Sequence, residues 1–265
     1  MVFPNSTTER SSFPDRPASG PGSFGAPSAP PLARQGIESR APSRPLLGMS
    51  GALGLTLSRL LPSTVQDSAP RRLICREREA MTTVPIIAEG WACSFVTLPD
   101  GGRQILSFLL PGDVVSTGLL FEPQIRCSVE AITEVRTRTF SRNDVLQRMF
   151  SDFALFEAVS RACSDNEIRA EELAINMGRH AADRRLARLI LDLRTRLAAR
   201  EMASDNVLGF PLRQHHIADA TGLTVVHVSK VLTEFRKQGL IEIDNRQLTI
   251  LDAERLSRIA DVRLG

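Results

Sequence analysis

Residues Gln214 to Lys237 read QHHIADATGLTVVHVSKVLTEFRK, a pattern that few folds accept. Two helices meeting at a tight turn need a small residue at their closest approach, a glycine at the turn and inward apolar residues on both sides. With Gly222 as the turn, Ile217, Ala218, Leu223, Val228 and Val231 fill those inward positions. Ala218 lets the second helix come close, and Gly222 can adopt the left-handed backbone. Val228 and Val231 stand three apart on one helical face, and Thr221 is the one polar residue in an inward slot. Thr224 suits the N-cap of the second helix. Its outer face then carries Val225, Val226, His227, Ser229 and Lys230, where a recognition helix meets base edges. Gln214, at the start of the first helix, is a further candidate contact. An ordinary helical hairpin does not require so many matches, so the stretch predicts a DNA-binding helix-turn-helix.

The following residues extend that prediction. Gly239 stands where a glycine closes a helix in the left-handed conformation. Leu240–Ile243 and Gln247–Leu251 then read as two short strands around Asp244-Asn245-Arg246. An Asp-Asn turn between short apolar runs is a hairpin signal. Here it predicts the wing of a winged helix, with Arg246 placed to meet a phosphate. Asp252 is expected to open a last short helix through Ile259.

Charge alone does not point to nucleic acid. The net charge is +3, and residues 206–265 hold eight Lys/Arg against seven Asp/Glu. Hydrophobic content of 42% is that of a soluble globular chain. No apolar run reaches the roughly 20 residues that span a bilayer, and no secretory signal opens the chain. Cys75, Cys93, Cys127 and Cys163 are separated by 18, 34 and 36 residues. That spacing excludes a compact metal motif and argues against a disulfide framework, so a reducing cytoplasm is expected.

Residues 1–48 hold nine prolines, eight serines and five glycines, which predicts a disordered tail; Met49 is an alternative start. Residues 49–145 are expected to form a β-roll. Trp91–Leu98 and Arg103–Leu110 flank the turn Pro99-Asp100-Gly101-Gly102, Pro111-Gly112-Asp113 makes a second corner, and Val129–Thr133 and Val135–Phe140 add strands. Ser141 and Asp144 resemble a capping box. A long helix within 146–178 follows, in which Phe156, Val159, Cys163, Asn166, Ala170, Leu173 and Met177 recur at alternating spacings of 3 and 4. Such a stripe reads as a seam between two copies of the helix, with Gly178 closing it; packing on the chain's own sheet is the other reading. His180–Ala199 is expected to be an amphipathic helix opening the DNA-binding domain of 179–265.

The stretches EGWACSFVTLPDGGRQILSFLLPGDVV (Glu89–Val115) and GLTVVHVSKVLTEFRKQGLIEI (Gly222–Ile243) resemble the cyclic-AMP receptor / fumarate-nitrate regulator family of bacterial transcription factors. The resemblance covers roughly Leu57 to Ile259. It implies an α+β chain with a cyclic-nucleotide-binding-like β-roll, a dimerisation helix and a winged helix-turn-helix. It also implies a homodimer on a palindromic promoter site, contact with RNA polymerase and an effector pocket in the roll. Departures narrow the type. Ser116-Thr117 stands where the cyclic-nucleotide branch has Gly-Glu, and Ile125 fills the slot of its phosphate-binding arginine, with Arg126 one residue off. A one-residue slip turns a strand side chain to the other face, so cyclic AMP is not expected to be the effector. The cysteine group of the oxygen-sensing branch is absent from residues 1–48. In the recognition helix Val226 and Lys230 replace the Glu and Arg that commonly read bases, whereas Ser229 matches the oxygen-sensing branch.

No catalytic constellation, metal site or resident cofactor is expected. His215 and Asp219 at i and i+4 read as a solvated helix face, since a zinc site needs three or four ligands. Cys163 reads as a small core residue or, in a two-fold seam, as a thiol near the axis open to redox input. Three functions stay open: a regulated dimeric transcription factor, one whose sensor has degenerated, and a winged-helix subunit used for protein contacts.

Overall fold

The computed structural model describes residues 51–204 and 206–262; the tail expected over 1–48 lies outside the described residues. A first helix, α1 (Gly51–Leu60), escapes the sequence reading, although Leu53 and Leu57, four apart, are both buried beneath it. Seven strands follow: β1 (Thr64–Ser68), β2 (Leu73–Cys75), β3 (Thr83–Glu89), β4 (Ala92–Thr97), β5 (Arg103–Leu109), β6 (Ser128–Ala131) and β7 (Val135–Ser141). They pair antiparallel in two sheets of order β1-β7-β3 and β2-β6-β4-β5, the roll expected from the spaced turns. Leu98–Gly102 closes the β4–β5 hairpin through Leu98 N–H to Gly102 O at 2.8 Å. Leu106 is an extra residue on β5, because Ser94 pairs with Ser107 while Phe95 pairs with Ile105.

Helix α2 (Arg142–Ser151) opens on Ser141, whose Oγ accepts the Asp144 N–H at 3.4 Å. Asp152, in extended conformation, then breaks the chain and caps α3 (Phe153–Arg179) by accepting the Leu155 N–H at 3.2 Å. The helix expected from the Ser141–Asp144 box and the long helix after it are both present, with the long one starting at Phe153 and not at 146. Gly178 does not close α3 as expected: it lies inside the helix, its φ is not positive, and His180 is the C-cap.

The expected α3 seam divides between two faces. Val159 is 2% exposed against the chain's own roll, Asn166 donates to Thr117 Oγ1 at 2.8 Å, and Leu173 faces a cavity shared with β5. Val159 packs in the roll core within this one chain. Phe156, Cys163 and Ala170 turn outward to different degrees, with Phe156 49% exposed and Phe153 stacked on it at 6.3 Å. The 3-and-4 stripe runs along the border between the face on the roll and the face away from it, and spacing alone does not separate them.

Helix α4 (Ala182–Ala198) buries Leu186, Ile190, Leu193 and Leu197 as predicted. After β8 (Ala203–Ser204) and β9 (Val207–Gly209) come α5 (Gln214–Thr221), α6 (Val225–Lys237), the hairpin β10 (Ile241–Asp244) and β11 (Gln247–Ile250), and α7 (Ala253–Ala260). The wing sheet has the order β10-β11-β9-β8. Two apolar cores result. One fills the roll beneath α1 and the start of α3. The other joins Trp91, Phe95, Ile105 and Phe108 of the roll to Leu186, Ile190, Ile217, Val228 and Phe235 of the winged helix. No helix among the described residues is long and apolar enough to cross a membrane.

Candidate nucleic-acid interface

The turn between α5 and α6 is built as its residues dictate. Gly222 takes φ 65° and ψ 29°, left-handed values that cost an L-residue roughly 1–2 kcal/mol. A Cβ there would also lie 2.8 Å from Met177 Cε of α3. Thr221 satisfies its inward hydroxyl by donating to Ile217 O at 2.7 Å, so the polar residue fits its apolar slot. Ile217, Ala218 and Val228 are buried, and Leu223 and Val231 are partly buried against them. Arg185 of α4 clips this turn to the end of α3: its guanidinium donates to Met177 O, His180 O and Thr221 O at 2.8–3.1 Å.

Thr224 caps α6 by accepting the His227 N–H at 3.2 Å. This leaves Val225 and Val226 at 45% and 78% exposure, beside exposed His227 and Lys230 and half-buried Ser229. Gln214 is exposed at the start of α5. Helix α6 ends in a Schellman closure: Gly239 at φ 67° donates to Arg236 O, and Leu240 N–H donates to Phe235 O at 2.9 Å. Asn245 and Arg246, with φ of 46° and 62°, form a two-residue turn of type I′ between Asp244 and Gln247. Arg246 stands exposed at that tip, as an arm to a phosphate requires. Thr224, Val225, Val226, His227, Lys230, Gln214 and Arg246 are therefore all solvent-facing, and Ser229 partly so.

His216 is a residue the sequence reading passes over. It is 8% exposed and accepts the Arg213 N–H on Nδ1 at 3.1 Å; burial, then His215 and Arg103, push its imidazole down to about 4. Asp219, one turn from His215, lies 4.0 Å from Arg103 of β5, and no group of three or more metal-ligating side chains occurs among the described residues. Arg103 itself stacks on Phe95 at 3.9 Å and pairs with Glu130 at 3.2 Å.

The roll carries no cation in the expected phosphate slot. Ile125 is 1% exposed within the core, and the Arg126 side chain is 82% exposed and held by Glu122 at 2.8 Å. Thr117, in the slot of the ribose-binding acid, is bonded to Asn166 instead. Between Thr117 and α3 lies a space of about 20 Å³. Beneath it Asp113 of the Pro-Gly-Asp corner collects three bonds. Its Oδ2 accepts from Leu110 N and Arg196 Nη2 at 2.8 Å each, and its Oδ1 from Arg200 Nη2 at 2.6 Å. Arg196 also donates to Phe108 O at 2.6 Å and pairs with Asp192 at 3.3 Å. Burial opposes the Arg196 charge, but Asp113 and Asp192 outweigh it and raise its pKa. Burial pushes the Cys75 and Cys93 thiols up to about 12, which keeps them unreactive. Cys163 is half-buried on α3.

A β-roll joined by a long helix to a winged helix-turn-helix with an exposed outer face on α6 is the architecture of a DNA-binding regulator. Residues 66–152 match the family model of the cyclic nucleotide-binding domain and 184–259 that of the Crp-like helix-turn-helix domain. The nitrogen fixation regulation protein FixK of Bradyrhizobium diazoefficiens is 30% identical over 184 residues, 69% of this chain and 76% of its own. A probable transcriptional activator of Rhizobium leguminosarum bv. viciae is 31% identical over 66% of this chain and 77% of its own. The solved structure of FixK2 from Bradyrhizobium japonicum superposes with a TM-score of 0.69 at 27% identity, covering 77% of this chain and all of that one. The chain belongs to the Crp/Fnr family of transcriptional regulators.

Proposed function

We propose that the chain acts as a cytoplasmic homodimer that reads a two-fold symmetric promoter site, works with RNA polymerase and responds to a signal other than cyclic AMP. The observation that carries this is the outer face of α6. A Thr224-capped helix start presents Val226 and Lys230 to solvent, the wing turn exposes Arg246, and all three side chains are exposed. Helix starts of this kind enter the major groove, and exposed apolar groups there meet thymine methyls. The dimer surface is the outward side of α3, centred on Phe156, Ser160, Cys163, Glu167, Ala170 and Ala174, which repeat at spacings of 4 and 3. The domain division follows: a roll to Asp152, α3 as the pairing helix, and α4 onward as the reading head.

Binding to a selected palindrome, followed by footprinting at several salt concentrations, tests the reading. Half-sites about 34–36 Å apart are expected, with affinity falling steeply as salt rises. Equal affinity for a single half-site, or indifference to salt, refutes it.

A further inference from the structure

Two spaces border α3, and their sizes differ in kind. The roll space of about 20 Å³ holds no more than a water or so. The second, about 100 Å³, opens where β5, α3, α4 and the end of α5 meet. A closed cavity of about 150 Å³ takes benzene, so this one, open on one side, suits a ligand of about six heavy atoms.

Its lining has a consistent chemistry. Phe108, Leu173 and Leu189 make an apolar wall, and Leu106 at the β5 bulge extends it, 40% exposed. Four arginines line the space against two carboxylates, Glu172 and Asp192. Arg185 and Arg196 are occupied by the carbonyls and carboxylates already described. Arg188 makes one hydrogen bond among the described residues, to Ala260 O at 3.3 Å, and so keeps most of its five donors. Arg169 stands nearby, its guanidinium pulled below its usual range by burial and by Arg196. The donors that Arg188 keeps, set over an apolar wall, fit a short organic anion better than a metal.

We propose that the crevice between β5, α3 and α4 is an effector site for a small organic monocarboxylate, with Arg188 as the fork for its carboxylate and the Phe108–Leu173–Leu189 wall for its chain. This rests on the reading of the chain as a DNA-binding regulator. One wall belongs to the sensor roll, one to the pairing helix, and the rest to the reading head. A ligand that favours one arrangement of these walls shifts the population toward it and so changes DNA affinity.

The test uses the full chain with butyrate, with butyramide as its uncharged counterpart, and with acetate, which lacks the tail. Melting temperature, calorimetric binding and operator affinity are read for each. Butyrate should raise the melting temperature saturably, by about 3 °C at ten times its Kd. Butyramide and acetate should do far less, and operator affinity should change together with butyrate occupancy. Arg188→Gln should weaken butyrate binding about tenfold or more, as expected for loss of a charged hydrogen-bond pair. Should Arg188→Gln fail to fold, Leu106→Trp at its part-exposed bulge carries the test by filling the opening and abolishing binding. Equal effects of butyrate and butyramide, or butyrate binding untouched in Leu106→Trp, overturn the site. Operator binding that no anion alters overturns the site and leaves a regulator governed by abundance. Loss of all operator binding refutes the DNA-binding reading, while the calorimetric result still decides the site.

Discussion

Asp113→Ala is the substitution with the largest effect expected outside the two apolar cores. Asp113 and Arg196 each expose about 5% of their side chains, and Arg200 exposes 7%. Removing the carboxylate leaves a buried guanidinium with Asp192 at 3.3 Å as its one remaining acid beside the Phe108 carbonyl, orphans Arg200 Nη2 and takes the acceptor from Leu110 N–H. Breaking a buried pair from one side costs about 3–5 kcal/mol. For a chain of this size each kcal/mol moves the melting temperature by about 2–4 °C, so a fall of roughly 6–20 °C is expected. Calorimetric unfolding of the full chain measures it. The double change Asp113→Leu with Arg196→Met should recover much of the loss, because buried ion pairs are often replaceable by apolar groups of similar volume. A single variant that melts within about 2 °C of the parent would refute the reasoning, and so would a double variant less stable than Asp113→Ala.

Further outcomes follow from the same geometry. Gly222→Ala should destabilise the reading head by about 1–2 kcal/mol from the left-handed φ, with more if Met177 cannot move, measured by denaturant unfolding. His216 is held neutral with a folded pKa near 4, below its unfolded value near 6.5. The unfolded chain therefore binds the extra proton first, and stability should fall as pH drops from about 6.5 toward 4 and be level above that range. A His216→Gln variant should flatten that slope in acid titrations followed by circular dichroism. Phe156→Glu should shift the protein toward monomer in light scattering while its secondary structure persists, since the side chain is half exposed within one chain. Cyclic AMP should give no saturable heat at micromolar concentration, with Ile125 where a cation would be needed.

The reading head was legible because its demands are local. Gly222, Thr224, Gly239 and the Asp244–Arg246 turn each answer to a backbone geometry a few residues wide, and neighbours in sequence reveal it. Strand β3 was missed although its middle is buried and apolar, because Pro85 masks a strand that meets partners about fifty residues away. The alternation within α3 was visible, but which side met the roll depended on the sheet beneath it. Arg196 and Arg200 read as ordinary charges on an amphipathic helix. Only the Pro-Gly-Asp corner, more than eighty residues earlier, shows that they are buried. His216 was hidden for a similar reason, since its burial comes from tertiary packing and not from its own helix pattern.

The apolar core that runs from Trp91, Phe95 and Phe108 into Ile217, Val228 and Phe235 makes the reading head a poor module for exchange. A chimera cut between α3 and α4 would give each half a bare greasy face shaped for the other, and would take Asp113 from both Arg196 and Arg200 of the winged-helix half. Successful transplants should carry the β4–β5 hairpin and the Asp113 corner along with the winged helix. The heritable unit in this chain is thus the joint between sensor and head, and drift in either half is constrained by the other across that shared surface.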